Sequence, residues 1–343
     1  MEKLIPAIEI RLEDLLLVAS SFEEERCLAA SARLGSYQAR ACIVINFTAS
    51  STVEGEARKR RTAQMLLRQT AEYDAMGLPR LLSVGPYAYE ELVPLVVEEL
   101  TRRDIGVQEL SVTVDISCLT RIQLAFLARS LFFEFDTKVL RLLYTVPRSY
   151  NHTKGDKFSR LGVGFFRPVV LPLRRWSGHR AVTTRRGAVV LLGHEGQRTL
   201  AAWRRIDPDE TLLIEAISGD DELEEICRGE NEHLFKTVKT LGDDAAVRRI
   251  SRLEIDGARE VISDWLGTFS GDPNAVISII PLGPKPLVVA ALLACMAVPR
   301  LTVEIVYPMA SRYNPNYSED VVEVYSETFS LGGNWPPHLD FKE

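Results

Sequence analysis

The stretch FEEERCLAA at residues 22–30 returns as HEGQRTLAA at residues 194–202, and this echo constrains the fold more than any other feature. Glu23 and Arg26 recur as Glu195 and Arg198, and Leu28, Ala29 and Ala30 as Leu200, Ala201 and Ala202, each 172 residues further on. Each copy follows an apolar run, LLLVAS at 15–20 and AVVLLG at 188–193. Each leads through a helical stretch to a second apolar run, ACIVINF at 41–47 and TLLIEAI at 211–217. Near-continuous apolar runs of this length mark strands buried on both faces of a parallel sheet. The pattern is strand, loop, helix, strand, written twice.

Two further echoes follow in the same order. VTVDISCLTR at 112–121 and VISIIPLGPK at 276–285 each end a strand in a short loop, after which a basic residue, Arg121 or Lys285, opens a helix. YTVPRSYN at 144–151 returns as YPMASRYN at 307–314, 163 residues on. Three ordered echoes predict a tandem duplication. Strands alternating with helices predict parallel sheets with right-handed crossovers. The expected fold is therefore α/β: two tandem Rossmann-like, doubly wound parallel-sheet domains related by internal duplication. The expected boundaries are 1–150 for the first domain and 188–317 for the second. A Gly-, Pro- and Arg-rich linker or β-hairpin would fill 151–187, and a tail with one short strand 318–343. Ser20 and Ser21 are expected helix N-caps, and 247–255 is an expected strand.

The 343 residues suffice for two domains, and 46% hydrophobic with 26% charged residues is an ordinary globular balance. A net charge of −6 argues against a wholly basic nucleic-acid binder. Direct DNA or RNA binding stays open through the clusters Arg58-Lys59-Arg60-Arg61, Arg174-Arg175 and Arg185-Arg186, which also read as solvated surface charge. Five cysteines without CxxC spacing predict reduced, buried thiols in a cytosol. The start does not read as a signal peptide, and the apolar run 286–299 is too short to cross a bilayer and reads as a buried helix. The expectation is a cytoplasmic protein with no membrane partner.

No GxGxxG, GxxxxGK[ST], HExxH or GxSxG occurs, and the five histidines lack ligand spacing. No catalytic residue, metal site or cofactor is therefore expected. The echoed loops instead point to binding. In an open parallel sheet, ligands sit beyond the carboxyl ends of the strands, where helix N-termini favour anions. The candidate ligand-binding residues are Arg26, Arg121, Tyr150 and Asn151 in the first half, and Glu195, Arg198, Gly283, Lys285, Tyr313 and Asn314 in the second. Arginine forks onto phosphate, and Tyr and Asn offer stacking and base-edge hydrogen bonds. Glu23-Arg26 and Glu195-Arg198 read equally as i, i+3 salt bridges, and the Tyr-Asn pairs as turn residues.

The loop Gly193-His194-Glu195, and the strand at 277–280 followed by Leu282-Gly283-Pro284-Lys285 and an apolar helix, make residues 185–317 resemble the CRISPR-associated Rossmann-fold (CARF-like) sensor domains and related prokaryotic defence proteins. In that family a similar loop, often with Gly, Thr and Lys or Arg, contacts a cyclic oligonucleotide or another nucleotide. Those domains usually work as symmetric dimers, so the resemblance implies that tandem halves supply a pseudo-dimer here. Leu282-Gly283-Pro284 departs from the family's Gly-Gly-Thr type of loop, and no effector domain reads from the sequence. The resemblance thus implies a nucleotide sensor or accessory protein in antiviral defence, working with a separate effector protein. Two other readings stand beside it. One is a nucleotide- or nucleoside-processing enzyme using Glu23, Asp115 or Glu195. The other is a structural scaffold subunit of a complex.

Overall fold

The apolar run that ends at Ser20 is strand β1 (Leu12–Ser20), whose residues from Leu15 to Ala19 are at most 3% exposed. A strand so sealed must lie inside a sheet with both faces covered. In this computed structural model it lies between β2 (Gln38–Phe47) and β4 (Leu110–Asp115), parallel to both. The structure describes residues 12–48, 53–85, 88–135, 137–150, 162–174, 183, 185–240, 246–298, 300–313 and 318–331.

With β3 (Arg80–Val84), β5 (Thr137–Tyr150) and β12 (Ser318–Ser330), the first sheet has the order β12-β5-β4-β1-β2-β3. Helices α1 (Glu24–Ser31) and α2 (Val53–Thr70) pack against each other on one face. The right-handed crossover rule puts α3 (Leu92–Arg102) and α4 (Arg121–Arg129) on the other. The second sheet contains β6 (Gly162–Arg174), β7 (Arg185–Leu191), β8 (Glu210–Ile217), β9 (Ala246–Ser251), β10 (Ala275–Pro281) and β11 (Thr302–Tyr313). Its order, β6-β11-β10-β7-β8-β9, repeats the first position for position. Helices α5 (Gly196–Ile206), α6 (Asp221–Glu230) and α7 (Glu232–Thr240) pack together, as do α8 (Ile255–Gly267) and α9 (Lys285–Ala297). These are two Rossmann-like, doubly wound domains. The apolar run after Lys285 is the expected buried helix: every residue of α9 from Pro286 to Met296 is buried.

The edge strands depart from a simple tandem. β6 follows β5 in the chain but joins the second sheet, and β12 follows β11 but joins the first. Among the described residues the compact units are accordingly 12–163 with 312–331, and 164–311. The stretch read as a linker or β-hairpin holds a 13-residue strand, and the short strand read at the start of the tail runs for 13 residues. β12 runs antiparallel along β5 from Ser318 opposite Tyr150 to Ser330 opposite Val139, with one irregularity near Val321. Such a ribbon hydrogen-bonds along its length, and this long-range pairing fixes the strand where local pattern is weak.

Two local expectations change. The strand expected at 247–255 stops at Ser251, and Ile255 begins α8 with its side chain buried. Ser20 does not cap α1, because its hydroxyl donates to Ile45 O and Asn46 Oδ1 inside the sheet. Glu23 holds the N-cap position, with Ser21 Oγ accepting from its backbone N–H.

Candidate functional site

Both sheets reverse strand order beside the first strand of each half, between β1 and β4 and between β7 and β10. The crevice of a doubly wound sheet opens at that switch point, beyond the carboxyl ends. In the first domain its walls are the segments leading from β1 into α1 and from β4 into α4. In the second they lead from β7 into α5 and from β10 into α9.

The two Glu-Arg pairs sit on these walls, and both arginines point inward. Arg26 Nη1 donates to both carboxylate oxygens of Glu23, at 2.9 and 3.0 Å. Its Nη2 donates to Ser117 O at 3.2 Å and Thr145 O at 3.3 Å. Burial alone would lower the Arg26 pKa; the Glu23 carboxylate, together with Tyr144, Cys118 and Tyr150, outweighs it and holds the guanidinium well above its ordinary value. Arg198 pairs with Glu195 at 2.5 Å and donates through Nε to Pro308 O at 2.8 Å and through Nη2 to the same oxygen. Its guanidinium also lies 5.1 Å from the Phe166 ring centre and 5.4 Å from that of Tyr307. Thr145 and Pro308 occupy matching positions, each following an echoed tyrosine. The repeated motif therefore makes the same contact twice, tying the start of α1 or α5 to β5 or β11.

Arg121 and Lys285 are the first residues of α4 and α9, and both are half-buried. Thr120 and Gln123 form a reciprocal capping box at the start of α4. Pro284 and Pro286 flank Lys285, and Pro286 has no N–H to offer an anion. A Cβ on Gly283 would lie 3.0 Å from Leu191 Cβ and 3.1 Å from Leu192 O, so this loop rests on the end of β7. Tyr150 ends β5, half-buried and opposite Ser318. Tyr313 ends β11. Asn151 and Asn314 lie outside the described residues.

Asp115 ends β4 and is buried, and its Oδ1 accepts from the Ser117 backbone at 2.9 Å and from the Ser117 hydroxyl. Ser117 Oγ accepts in turn from Thr145 N at 2.8 Å. The carboxylate thus fixes the turn after β4. Among the described residues no group of three or more His, Cys, Asp or Glu is placed to hold a metal ion.

Sequence reasoning missed Lys59, which it placed in a solvated basic cluster. Lys59 is 3% exposed; its Nζ donates to Phe47 O at 3.1 Å and Glu56 at 3.0 Å, and lies 5.9 Å from the Phe22 ring centre. It therefore stands at the carboxyl end of β2, beside the loop after β1. Burial lowers its pKa, and Glu56 partly offsets this. The signal was present: the buried stripe of α2 holds Gly55, Lys59, Thr62, Ala63, Leu66 and Thr70 at helical spacing.

A cavity of about 550 Å³ opens in the second domain away from the crevice. Its lining comes from β10, β11 and β6, with Ser278 and Glu304 on the strands, and from Arg186 and Arg205. No family model matches the chain, and no curated protein matches it. No described helix is long and apolar enough to cross a membrane.

Proposed function

We propose that this chain is a non-catalytic sensing or accessory protein, built by duplication, that binds a nucleotide or other phosphate-bearing anion at the carboxyl edges of its sheets. It passes that signal to a separate effector protein, in the setting of prokaryotic antiviral defence. One observation carries the reading: a cationic residue, Arg121 or Lys285, opens the helix after the strand at the switch point of each sheet. Such a helix start favours an anion. The identical strand orders and the matched contacts to Thr145 and Pro308 support the duplication. Arg26 and Arg198 serve as scaffolding in this reading, and the cations that meet ligand are Arg121 and Lys285.

The test is calorimetric titration of Lys285→Ala and Arg121→Ala with a mononucleotide and a cyclic oligonucleotide. Loss of one charge-assisted hydrogen bond weakens binding by about 1.5–3 kcal/mol, roughly one to two decades. A change under about threefold with the fold intact overturns the assignment. Native followed by denaturing mass spectrometry separates the alternatives. A released nucleotide supports sensing, and a protein partner held through purification supports a scaffold. The enzyme reading needs a free acid-base group, whereas Glu23, Asp115 and Glu195 each hold an internal partner. Turnover abolished by Glu195→Gln would restore it.

A further inference from the structure

Cys27 and Cys118 are 91 positions apart in sequence, yet their Sγ atoms lie 3.1 Å apart, with Cys27 donating to Cys118. Cys27 is in α1, in the segment after β1; Cys118 is in the turn after β4. They face each other across the switch point of the first sheet. The Arg26 side chain already ties α1 to the turn that carries Cys118, because its Nη2 donates to Ser117 O. Arg26 precedes Cys27 and Ser117 precedes Cys118, so neither sulfur can drift far from the other.

We propose that Cys27 and Cys118 are a modification site: a hydroperoxide converts them to a reversible disulfide that clamps the two walls of the first crevice together. This goes beyond the binding reading and stands on the thiol geometry alone. None of the five cysteines is in a disulfide, and Cys118 alone among them is not buried. Oxidant therefore reaches Cys118 first. Its sulfur attacks the peroxide, the O–O bond breaks, and Cys118 becomes a sulfenic acid while an alcohol or water leaves. The Cys27 sulfur then attacks the sulfenic sulfur. The S–S bond forms, the S–O bond breaks, and the hydroxyl leaves as water with the Cys27 proton. Two thiols and one hydroperoxide give one disulfide, one alcohol or water, and one water. A bond of about 2.05 Å requires an approach of about 1 Å, within reach of side-chain rotation and small loop movement. Burial, with the contact to Cys118, pushes the Cys27 thiol pKa well up, so Cys118 rather than Cys27 initiates.

The test uses the full chain and hydrogen peroxide. Intact mass should fall by about 2 Da and return on addition of a thiol reductant. Peptide mapping should find the cross-link between residues 27 and 118. Cys118→Ser should lose the shift, and Cys27→Ser should leave a sulfenic acid at Cys118 that dimedone captures. Hydrogen exchange through residues 24–31 and 116–124 should slow at least tenfold in the oxidised protein. Oxygen addition of about 16 Da or more at Cys118 without a cross-link overturns the proposal, as does a cross-link that persists in Cys118→Ser. An oxidised, cross-linked protein with unchanged exchange overturns the clamp.

Discussion

Arg198 donates to the carbonyl oxygen of Pro308 through both Nε and Nη2, fastening the first turn of α5 to β11 across the intervening strand β10. Arg26 does the same for α1 and Thr145 of β5, across β4. In each case a glutamate three residues earlier compensates the buried charge. A guanidinium can satisfy a carboxylate and a backbone carbonyl at once, which a lysine's point charge on a flexible stem does less well.

Removing the cation should therefore expose the cost of the anion. Arg198→Met takes the guanidinium away from the buried Glu195 carboxylate and should destabilise the second domain by about 3–5 kcal/mol. The double change with Glu195→Gln should recover part of that loss. Urea unfolding followed by hydrogen exchange in β7 and β11 reads both variants. A loss under about 1 kcal/mol would mean that the pair behaves as a solvent-screened surface bridge.

Gly193 makes a sharper steric prediction. A Cβ there would lie 2.0 Å from Leu282 O and 2.9 Å from Leu282 C, both backbone atoms, so the loop after β10 must move. Gly193→Ala should destabilise by at least about 1–3 kcal/mol. Gly229, inside α6, has nothing within 4 Å of its would-be Cβ. Gly229→Ala should stabilise by about 0.5–1 kcal/mol through helix propensity. Equal effects from the two changes would contradict the close approach of the two loops.

The interior strands were legible because burial on both faces leaves an uninterrupted apolar run, as at residues 15–19 and 188–192. The Glu-Arg echo was legible too, but its partner was not: the acceptors at Thr145 and Pro308 are carbonyls, which every residue carries. The edge strands were legible only in part, as a linker or hairpin at 151–187 and a short strand in the tail, because their length and sheet come from distant pairing. Residues 318–330 read SEDVVEVYSETFS, where polar and apolar positions mix, and only pairing with β5 makes them a long strand. Likewise Lys59 looked solvated among Arg58, Arg60 and Arg61, although four residues before Ala63 is the same helix face. Cys27 and Cys118 meet only because β1 and β4 are neighbours.

Acidification should find Glu99. Burial alone would raise its pKa, but hydrogen bonds from Arg102 and Arg103 override it and hold the carboxyl below the ordinary glutamate value. The folded form then binds fewer protons than the unfolded one. The stabilisation is complete above an unfolded value of about 4.3 and is lost as pH falls through the lower folded value. The stability gap between the unsubstituted protein and Glu99→Gln should therefore be full near neutrality and shrink below about pH 4. Thermal unfolding across that range checks it, and a gap independent of pH would refute the linkage.

The exchanged edge strand gives the most discriminating mutation. Val324 lies on β12, near the far end of the chain, but its side chain is 6% exposed and packs with Leu16, Val18 and Leu143 of the first domain. Val322, two residues earlier, is 55% exposed. Val324→Asp buries a carboxylate among aliphatic groups and should destabilise by several kcal/mol unless the charge is neutralised. Val322→Asp should stay within about 0.5 kcal/mol. The location of the damage matters more than its size. Hydrogen exchange in Val324→Asp should accelerate in β1 and β5, strands encoded some 180 to 300 residues earlier, because β12 completes their sheet. β11, which immediately precedes β12 in sequence, should keep its protection through β10. If β11 loosens while β5 stays protected, the C-terminal strand belongs to the sheet nearest it in sequence, and the crossed arrangement is wrong.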